Sequence, residues 1–422
     1  MNNLLILLIL LCSFSIRSWA GSFTEPVPFK YPIDLKLFSE EINSKESSVA
    51  LISGGGPAGL LAAHAIYYTK KYTHIIIMEK RSEFSRSNTL SSRTEVLARL
   101  EDLNLLEEFK KIAIFSPTSK FDVLKADVAD NSMLFEFSKD TLDLDFSKPL
   151  TEVLAGDGCP HYGVEIAKLQ KMLADEAIKL PNVYLIHGSM DVVVENNDAN
   201  SAKLMINEKE IFIEKPQIII IAEGVHSVNR EKIGIKFMPV PEMVNEIWDT
   251  GAISLSGDLA GYIGLLIDDT IGVRGFLITR PTRSDAFIYS LVSAKTPLPT
   301  EELGLKTTAF ELLNGAQEVL KIAMPNNPAD LQIIEGLSSH FEIIFAQAEK
   351  SYSSTNTIII GDAHRCGSPA EGLGFSLVAS VENVAVQEIA VQLFEKHNKI
   401  ALDKFDDRMN EIAKFWHFSG KI

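Results

Sequence analysis

The first half of the chain alternates short apolar runs with amphipathic stretches, and this order predicts strands and helices in turn. Residues 48–52 and 73–78 are compact apolar runs with the length of buried strands, and residues 60–68 between them have the pattern of a helix. This strand–helix–strand order predicts the parallel βαβ unit of a doubly wound fold. An amphipathic helical stretch follows at 94–111.

Later segments extend this pattern and then change it. A helical stretch at 164–180 precedes a strand at 183–187, and residues 218–222 form another buried strand. Between residues 247 and 294, short apolar runs alternate with turn residues, which predicts a mostly antiparallel sheet. The remaining predicted elements are a helix at 307–322, a strand at 357–360, a helix at 375–395 and a short C-terminal helix. The predicted fold class is α/β: a doubly wound, Rossmann-like parallel sheet with an inserted antiparallel sheet domain and C-terminal helices.

The first 20 residues have the pattern of a cleavable signal peptide. Residues 4–12 are all apolar, but this run is shorter than the roughly 20 residues that span a bilayer. Ser18-Trp19-Ala20 then forms a small-x-small cleavage pattern. We therefore expect cleavage after Ala20 and export, either to the periplasm or out of the cell; a retained anchor and an ordinary buried segment are the alternatives. No later window reaches about 18 apolar residues, so we expect no membrane span after cleavage.

Composition narrows the class of protein further. The 422 residues are 46% hydrophobic and 23% charged, which excludes a disordered chain, and the net charge of −16 gives no electrostatic basis for binding nucleic acid. Beyond the predicted leader only Cys159 and Cys366 remain, too few for a disulfide framework. They could pair if their Cα atoms lie within about 7 Å, or both could be free thiols.

The first predicted strand ends in a glycine motif that suits a dinucleotide. In Gly54-x-Gly56-x-x-Gly59, the first glycine permits a tight turn, the second lets a pyrophosphate approach the backbone, and the third lets helix and strand pack closely. Pro57 fits the first helical turn, and the helix N-terminus favours phosphate. Glu79 ends the next strand, where its carboxylate would accept hydrogen bonds from ribose hydroxyls. A glycine-rich turn that serves only packing is the alternative.

A second motif of this kind lies near the other end of the chain. The strand at 357–360 leads into Gly361-Asp362, and a Pro-x-x-Gly-x-Gly motif that begins at Pro369 opens a helix. One dinucleotide needs only one pyrophosphate site, so a second helix N-terminus indicates another electron-rich group. The N1–C2=O edge of a reduced flavin is such a group, and Asp362 would bind ribityl hydroxyls.

Together the two motifs resemble those of the FAD-dependent aromatic hydroxylases of the p-hydroxybenzoate hydroxylase type, the class A flavoprotein monooxygenases. The family's middle motif is matched by residues 222–230, with Glu223 where the family usually has Asp. Residues 79–88 are also similar to the MICAL monooxygenase domain, a likeness that implies FAD contacts from this stretch. The residues that the motifs and the resemblance assign to FAD are Gly54, Gly56, Pro57, Ala58, Gly59, Glu79, Lys80, Arg81, Arg86, Asn88, Asp362, Pro369, Gly372, Leu373, Gly374 and Phe375.

The resemblance also implies a reaction and a domain order. NAD(P)H would reduce FAD, and a flavin C4a-hydroperoxide formed with O₂ would transfer one oxygen atom to a small aromatic or apolar substrate. This chemistry needs no protein nucleophile, and we assign no catalytic residue and no metal site. The implied domains are a signal peptide (1–20), a lead-in (21–47), the first part of the FAD-binding domain (48–240), a substrate domain of mostly antiparallel sheet (241–350), and the second part of the FAD-binding domain with C-terminal helices (351–422).

Departures from the family pattern leave alternatives open. Residues 166–170 contain no Arg, although the family often places one there against the cofactor, and Ser376 replaces an Asn. Glu223 lies in a region that serves both FAD and the reductant. A flavin oxidase or reductase on the same scaffold, or an exported FAD-binding protein without NAD(P)H-driven turnover, are therefore alternatives. A halogenase is disfavoured, because Trp occurs only at positions 19, 248 and 416 and the expected paired-Trp motif is missing.

Overall fold

The computed structural model of the protein describes residues 24–86, 88–92, 94–116, 120–122, 124–127, 134–137, 161–194, 199–241, 243, 246–254, 262–268, 273–278, 281–283, 286–293, 332–367, 373–396 and 399–419. Between residues 246 and 342 only the backbone of the strands is described. The predicted leader, the predicted helix at 307–322, and the motif residues Pro369 and Gly372 lie outside the described residues.

Strands make up much of the described chain, and helices flank them. The strands are β1 (Glu25–Pro26), β2 (Val49–Ser53), β3 (His74–Glu79), β4 (Glu83–Phe84), β5 (Thr89–Ser92), β6 (Ile114–Ser116), β7 (Lys120–Asp122), β8 (Leu124–Asp127), β9 (Leu134–Phe137), β10 (His161–Glu165), β11 (Val183–Val193), β12 (Ser201–Ile206), β13 (Lys209–Ile213), β14 (Ile218–Ile221), β15 (Phe237–Pro239), β16 (Glu246–Ser254), β17 (Tyr262–Asp268), β18 (Val273–Ile278), β19 (Pro281–Arg283), β20 (Ala286–Ser293), β21 (Gln332–Ile343), β22 (Ala346–Ala348), β23 (Tyr352–Ser353), β24 (Thr357–Ile359) and β25 (Arg365–Cys366). The helices are α1 (Leu35–Ile42), α2 (Pro57–Thr69), α3 (Thr94–Asp102), α4 (Leu106–Ile112), α5 (Ile166–Lys179), α6 (Val228–Lys232), α7 (Leu373–Leu377), α8 (Asn383–Lys396) and α9 (Lys399–Ser419), with a 3₁₀ turn at Gly361–Ala363 and a π-helical turn at Val378–Glu382.

The largest sheet confirms the predicted doubly wound core. Within the described residues its order is β13-β12-β11-β3-β2-β14-β24-β23, and the strands from β11 to β24 run parallel. Strands β3 and β14 are rich in isoleucine and buried throughout, as expected for a parallel sheet with both faces covered. Because the chain leaves β2 for β3 on one side and later returns to β14 on the other, the carboxyl end of β2 is the switch point where such folds bind ligands.

Two hydrophobic clusters cover the two faces of this sheet. One cluster includes residues of α2, α5, α8 and α9, and the other includes residues of α1 and of the β12–β13 hairpin. Helix α1 lies in the predicted lead-in (21–47), a segment without a predicted helix. The carboxylate of Asp34 begins the helix by accepting hydrogen bonds from the N–H groups of Lys36 and Leu37 at 2.7 and 3.2 Å. Phe38 and Ile42 then pack into the sheet's second cluster.

The predicted antiparallel sheet is also present. Its order is β21-β16-β20-β18-β17-β7, with antiparallel pairing except between β17 and β7. A β-bulge interrupts the pairing of β16 with β21 between Thr250 and Ala252. Strand β7 comes from well before residue 241, so this sheet combines the predicted substrate segment with a strand from the first half of the chain.

Some predicted element boundaries were wrong, for local reasons. The helix predicted at 94–111 is two helices, because Asn104 adopts a left-handed φ of 54° and the Leu105 N–H donates back to the Leu100 carbonyl at 2.7 Å. The helix predicted to start at residue 164 starts at Ile166. Val164 is still part of strand β10, where it pairs with Leu90 of β5.

One helical segment among the described residues, Gly374–Glu395, is long and apolar enough to span a membrane by length and composition alone. Half of its most apolar window is buried within the protein, and Val386, Ile389 and Leu393 belong to the main hydrophobic cluster. The core helix of a soluble protein can be equally long and apolar, so this segment is weak evidence for a membrane span.

Candidate functional site

The glycine motif forms a tight loop between β2 and α2. Gly54 has a φ of +108°, and a Cβ at this position would lie 2.4 Å from the carbonyl oxygen of Ala222. A Cβ on Gly59 would lie 2.0 Å from the carbonyl oxygen of Gly54, so the loop and the helix pack with no room for a side chain. A Cβ on Gly56 would meet nothing within 4 Å. The open space therefore lies beside the glycine that the motif assigns to pyrophosphate, at the N-terminus of α2.

Glu79 supports this loop from the end of β3. It is 3% exposed, and its Oε2 accepts a hydrogen bond from the Gly55 N–H at 2.9 Å. Its Oε1 accepts from the backbone N–H and the Nε of Arg81 at 2.9 and 3.0 Å. Arg81 pairs with Glu79, and the contact of Arg81 with phosphate or adenine stays a prediction, as does the contact of Glu79 with ribose.

Gln170 is a residue of this site that the sequence did not identify. In the sequence, residues 166–170 stand out only for the missing Arg, but the buried Gln170 of α5 donates from Nε2 to the carbonyl oxygen of Gly55 at 3.1 Å. Its Oε1 has no hydrogen-bond partner among the described residues. The contact joins residues 115 positions apart, so no local pattern could have shown it.

The middle motif places the unusual Glu223 in a hydrogen-bond network that joins its own loop to the end of β2. Its carboxylate accepts from the hydroxyl of Ser53, from the hydroxyl of Ser227 at 2.8 Å, and from the backbone N–H of Asn229 at 3.0 Å. The side-chain amide of Asn229 also donates to it. The longer side chain of Glu therefore reaches β2 and the start of α6, and its charge is balanced by hydrogen-bond donors of the protein.

The Gly361-Asp362 turn packs against the first turn of α2, directly after the glycine loop. Gly361 has a φ of +60°, and a Cβ there would lie 2.8 Å from the Cβ of Ala58. The two motifs, which are far apart in the sequence, thus meet at the ends of β2 and β24. Asp362 is half-buried. Burial raises the pKa of Asp362, and the charges of Arg86 and Arg365 oppose this shift.

A buried glutamate and a buried arginine hold the backbone of this turn. The Glu382 Oε1 accepts from the Gly361 N–H at 2.7 Å, and its other oxygen pairs with Arg365; both side chains are at most 1% exposed. On the opposite side, Arg230 donates to the Ala363 carbonyl at 3.0 Å. The turn that carries Asp362 is therefore fixed at its first and last residues.

A buried histidine follows this turn. Both ring nitrogens of His364 lack a hydrogen-bond partner among the described residues. Burial, together with the charges of Arg365 and His417, lowers the pKa of His364 well below its ordinary value. His364 is therefore neutral at physiological pH and adds no charge next to Asp362.

The other predicted site residues lie around these two loops. Lys80 and Arg86 are exposed, and Asn88 is half-buried. The carbonyl oxygens of Arg86 and Asn88 accept hydrogen bonds from the first residues of α5 at 3.0 and 2.9 Å, which ties this stretch to the helix that carries Gln170. In α7, Phe375 is 6% exposed and belongs to the main hydrophobic cluster, while Leu373 and Gly374 form its first turn.

The residues present fit an FAD. The open space beside Gly56 suits a pyrophosphate, and the half-buried carboxylate of Asp362 suits ribityl hydroxyls. The unpartnered Oε1 of Gln170 is an acceptor that a ligand hydroxyl or its water can satisfy. Within the described residues there is no cluster of three or more His, Cys, Asp or Glu side chains that could hold a metal ion.

Cys366 is expected to resist alkylation in the folded protein. Burial, aided by the charge of Asp362, raises the pKa of the Cys366 thiol to about 12, so at pH 8 the thiolate fraction is on the order of 10⁻⁴. We expect iodoacetamide to modify Cys366 about a hundredfold or more slower in the folded protein than in urea, as read by peptide mass spectrometry. Equal rates would contradict this burial. Cys366 is a free thiol in the described part of the chain, and Cys159 lies outside the described residues.

Comparison with known proteins identifies a family and a set of similar folds. The family described as FAD binding domain matches residues 46–414. No curated protein matches the chain in sequence. Among solved structures, the flavin-dependent brominase Bmp2 is 18% identical with a TM-score of 0.63, covering 86% of this chain and 83% of its own. The p-nitrophenol 4-monooxygenase PnpA from Pseudomonas putida is 15% identical with a TM-score of 0.60, covering 87% of each chain. Aklavinone-11 hydroxylase, solved with FAD and aklavinone, is 16% identical with a TM-score of 0.61, covering 88% of this chain and 67% of its own.

Proposed function

The chain belongs to the FAD binding domain family, and on that premise we propose that this FAD-dependent oxidoreductase is an NAD(P)H-dependent monooxygenase that hydroxylates a small aromatic or apolar substrate. One observation carries the proposal: Gly361 packs against Ala58, so the two cofactor motifs form a single site at the switch point of the sheet. Two proteins with this fold are named as a p-nitrophenol 4-monooxygenase and as aklavinone-11 hydroxylase, and their names support this reaction class. The likeness of residues 79–88 to the MICAL domain stays a prediction.

Bound FAD supplies the redox chemistry: NAD(P)H, O₂, a proton and the substrate R–H give NAD(P)⁺, R–OH and water. The protein binds and orients the cofactor. The N-terminus of α2 and the Gly56 backbone hold phosphate, and Asp362 receives the ribityl chain. The neutral His364 and the paired Arg365 keep the buried region behind Asp362 free of uncompensated charge.

The substrate is proposed to lie between the flavin and the antiparallel sheet. Strands β16, β17, β18 and β20 carry the aromatic residues and the arginine that we propose as its contacts. The candidate residues in the sequence of this segment are Trp248, Tyr262, Phe276, Phe287 and Tyr289, with Arg274 and Arg280 for an acidic substrate; Arg280 lies outside the described residues.

A second candidate function is supported by the network around Glu223. Its carboxylate is occupied by Ser53, Ser227 and Asn229, which supports an FAD-binding protein whose middle motif no longer serves NAD(P)H. We also propose export through the leader that ends at Ala20. An exported flavoprotein would acquire FAD after crossing the membrane and would meet little NAD(P)H, so export favours the same alternative.

One experiment separates these candidates. We expect the processed protein to carry or take up FAD, to show a flavin absorption spectrum, and to be bleached by NADPH or NADH without oxygen. With air and an aromatic substrate, each NAD(P)H oxidised should consume one O₂ and form one hydroxylated product. Flavin that dithionite reduces but NAD(P)H does not would refute the monooxygenase proposal and favour the second candidate. Protein that cannot take up FAD at all would refute both.

A further inference from the structure

The side chain of Gln170 has one satisfied end and one unsatisfied end, and stabilisation of the fold alone does not explain the unsatisfied one. Its amide is buried in α5, donates to the Gly55 carbonyl at 3.1 Å, and leaves Oε1 without a partner among the described residues. A buried amide with one unsatisfied end weakens a folded protein compared with an apolar side chain of the same size. The half-satisfied state points to a partner that arrives with a ligand.

Side chains from two different elements bind the backbone N–H and the backbone carbonyl of Gly55. The Gly55 N–H donates to Glu79 at 2.9 Å, and the Gly55 carbonyl accepts from Gln170. The peptide bond between Gly55 and Gly56 is planar and trans, so its carbonyl and its N–H point in opposite directions. The Gly56 N–H is therefore turned away from Gln170, and the space beside Gly56 is open.

We propose that Gln170 is a positioning residue for the cofactor. By holding the Gly55 carbonyl, it sets the peptide so that the Gly56 N–H donates to the pyrophosphate of FAD. In the same complex Oε1 accepts from a hydroxyl or a water that the ADP half of the cofactor brings. The inference rests on FAD binding by this family and not on the reaction proposed above.

The test compares two glutamines that hold the backbone at opposite ends of β2. Gln170→Met removes the contact at the glycine loop. Gln217→Met is the matched control, because the Oε1 of Gln217 accepts from the Val49 N–H at the start of β2, away from the cofactor. Ligand-free proteins are titrated with FAD, with ADP as a fragment that has the pyrophosphate, and with riboflavin as a fragment without phosphate.

We expect Gln170→Met to weaken FAD and ADP binding about tenfold and to leave riboflavin binding unchanged. Gln217→Met should leave all three unchanged. Wild-type affinity for FAD and ADP in Gln170→Met would overturn the proposal, and so would equal losses for all three ligands, which indicate a general structural role.

Gln170→Glu gives a second test that holds even if Gln170→Met does not fold. An ionised carboxylate cannot donate to the Gly55 carbonyl, but a protonated one can. We expect this variant to bind FAD more tightly as the pH falls from about 8 to about 5.5, while the wild type shows no such gain. A flat profile would overturn the proposal. Failure of the wild type to bind FAD would refute the family's cofactor assignment instead, and absent NAD(P)H oxidation would refute only the monooxygenase.

Discussion

Gly59→Ala is expected to lower the free energy of unfolding of the ligand-free protein by about 3 kcal/mol and to abolish FAD binding. The added Cβ would lie 2.0 Å from the carbonyl oxygen of Gly54 and 3.2 Å from the Cγ2 of Ile52. A backbone oxygen cannot rotate aside as a side chain can, so α2 would have to move away from β2. That movement would also carry the helix N-terminus away from the phosphates. Urea denaturation of the ligand-free protein and titration with FAD measure the two effects.

Gly56→Ala is the matched control, because it adds the same methyl group three residues earlier. Gly56 has a φ of −71° and a ψ of 172°, which alanine adopts readily, and the methyl group would meet nothing within 4 Å. The stability of the ligand-free protein should therefore stay the same or rise by up to about 1 kcal/mol. FAD binding should nevertheless fall by about a hundredfold, because the methyl group occupies the space assigned to pyrophosphate.

The two variants together distinguish the packing of α2 against the glycine loop from the approach of the pyrophosphate to the Gly56 backbone. A wild-type urea midpoint for Gly59→Ala would show that the loop and helix are not packed as closely as described. Wild-type FAD affinity for Gly56→Ala would show that the pyrophosphate lies elsewhere. Either result would contradict the assignment of separate roles to these two glycines.

The sequence predicted the parts of the site that are determined by local chemistry. A strand, a glycine turn and a helix N-terminus are adjacent in the chain, so the spacing of Gly54, Gly56 and Gly59 is enough to predict a role for each, and the close packing predicted for Gly54 and Gly59 is present. Gln170 and Glu382 could not be assigned in this way, because the first reaches the Gly55 backbone across 115 positions and the second reaches Gly361 across 21. Such contacts depend on which helix packs against which turn.

The missed elements of the fold have equally specific causes. Helix α1 spans only Leu35–Ile42 and buries two residues. Two buried positions in eight residues are too few to reveal a helical period in a polar segment. The β12–β13 hairpin turns at Asn207 and Glu208, which have positive φ values of 49° and 64°. Hairpins of this kind are usually recognised by Asn-Gly, and Glu at the second position hides the turn.

Glu382→Ala is expected to destabilise the protein by about 3–5 kcal/mol, a large share of the roughly 5–15 kcal/mol that holds a typical domain folded. The change removes a buried carboxylate that pairs with Arg365 and accepts from the Gly361 N–H. The charge of Arg365, which is fully buried, would lose this counter-ion. The Gly361-Asp362 turn would also lose one of its two fixed ends, so FAD binding should weaken as well. Urea denaturation and FAD titration measure both effects.

The double variant Glu382→Leu with Arg365→Met separates the charge from the turn. Removing both members of the ion pair leaves neither of these two charges without its counter-ion, so the double variant should recover much of the stability that Glu382→Ala loses. It cannot restore the acceptor for the Gly361 N–H, so FAD binding should stay weak although the fold recovers. If the double variant is as unstable as Glu382→Ala, the buried charge is not the cause of the instability. If it recovers FAD affinity along with stability, the hydrogen bond from Gly361 to Glu382 does not position the Asp362 turn.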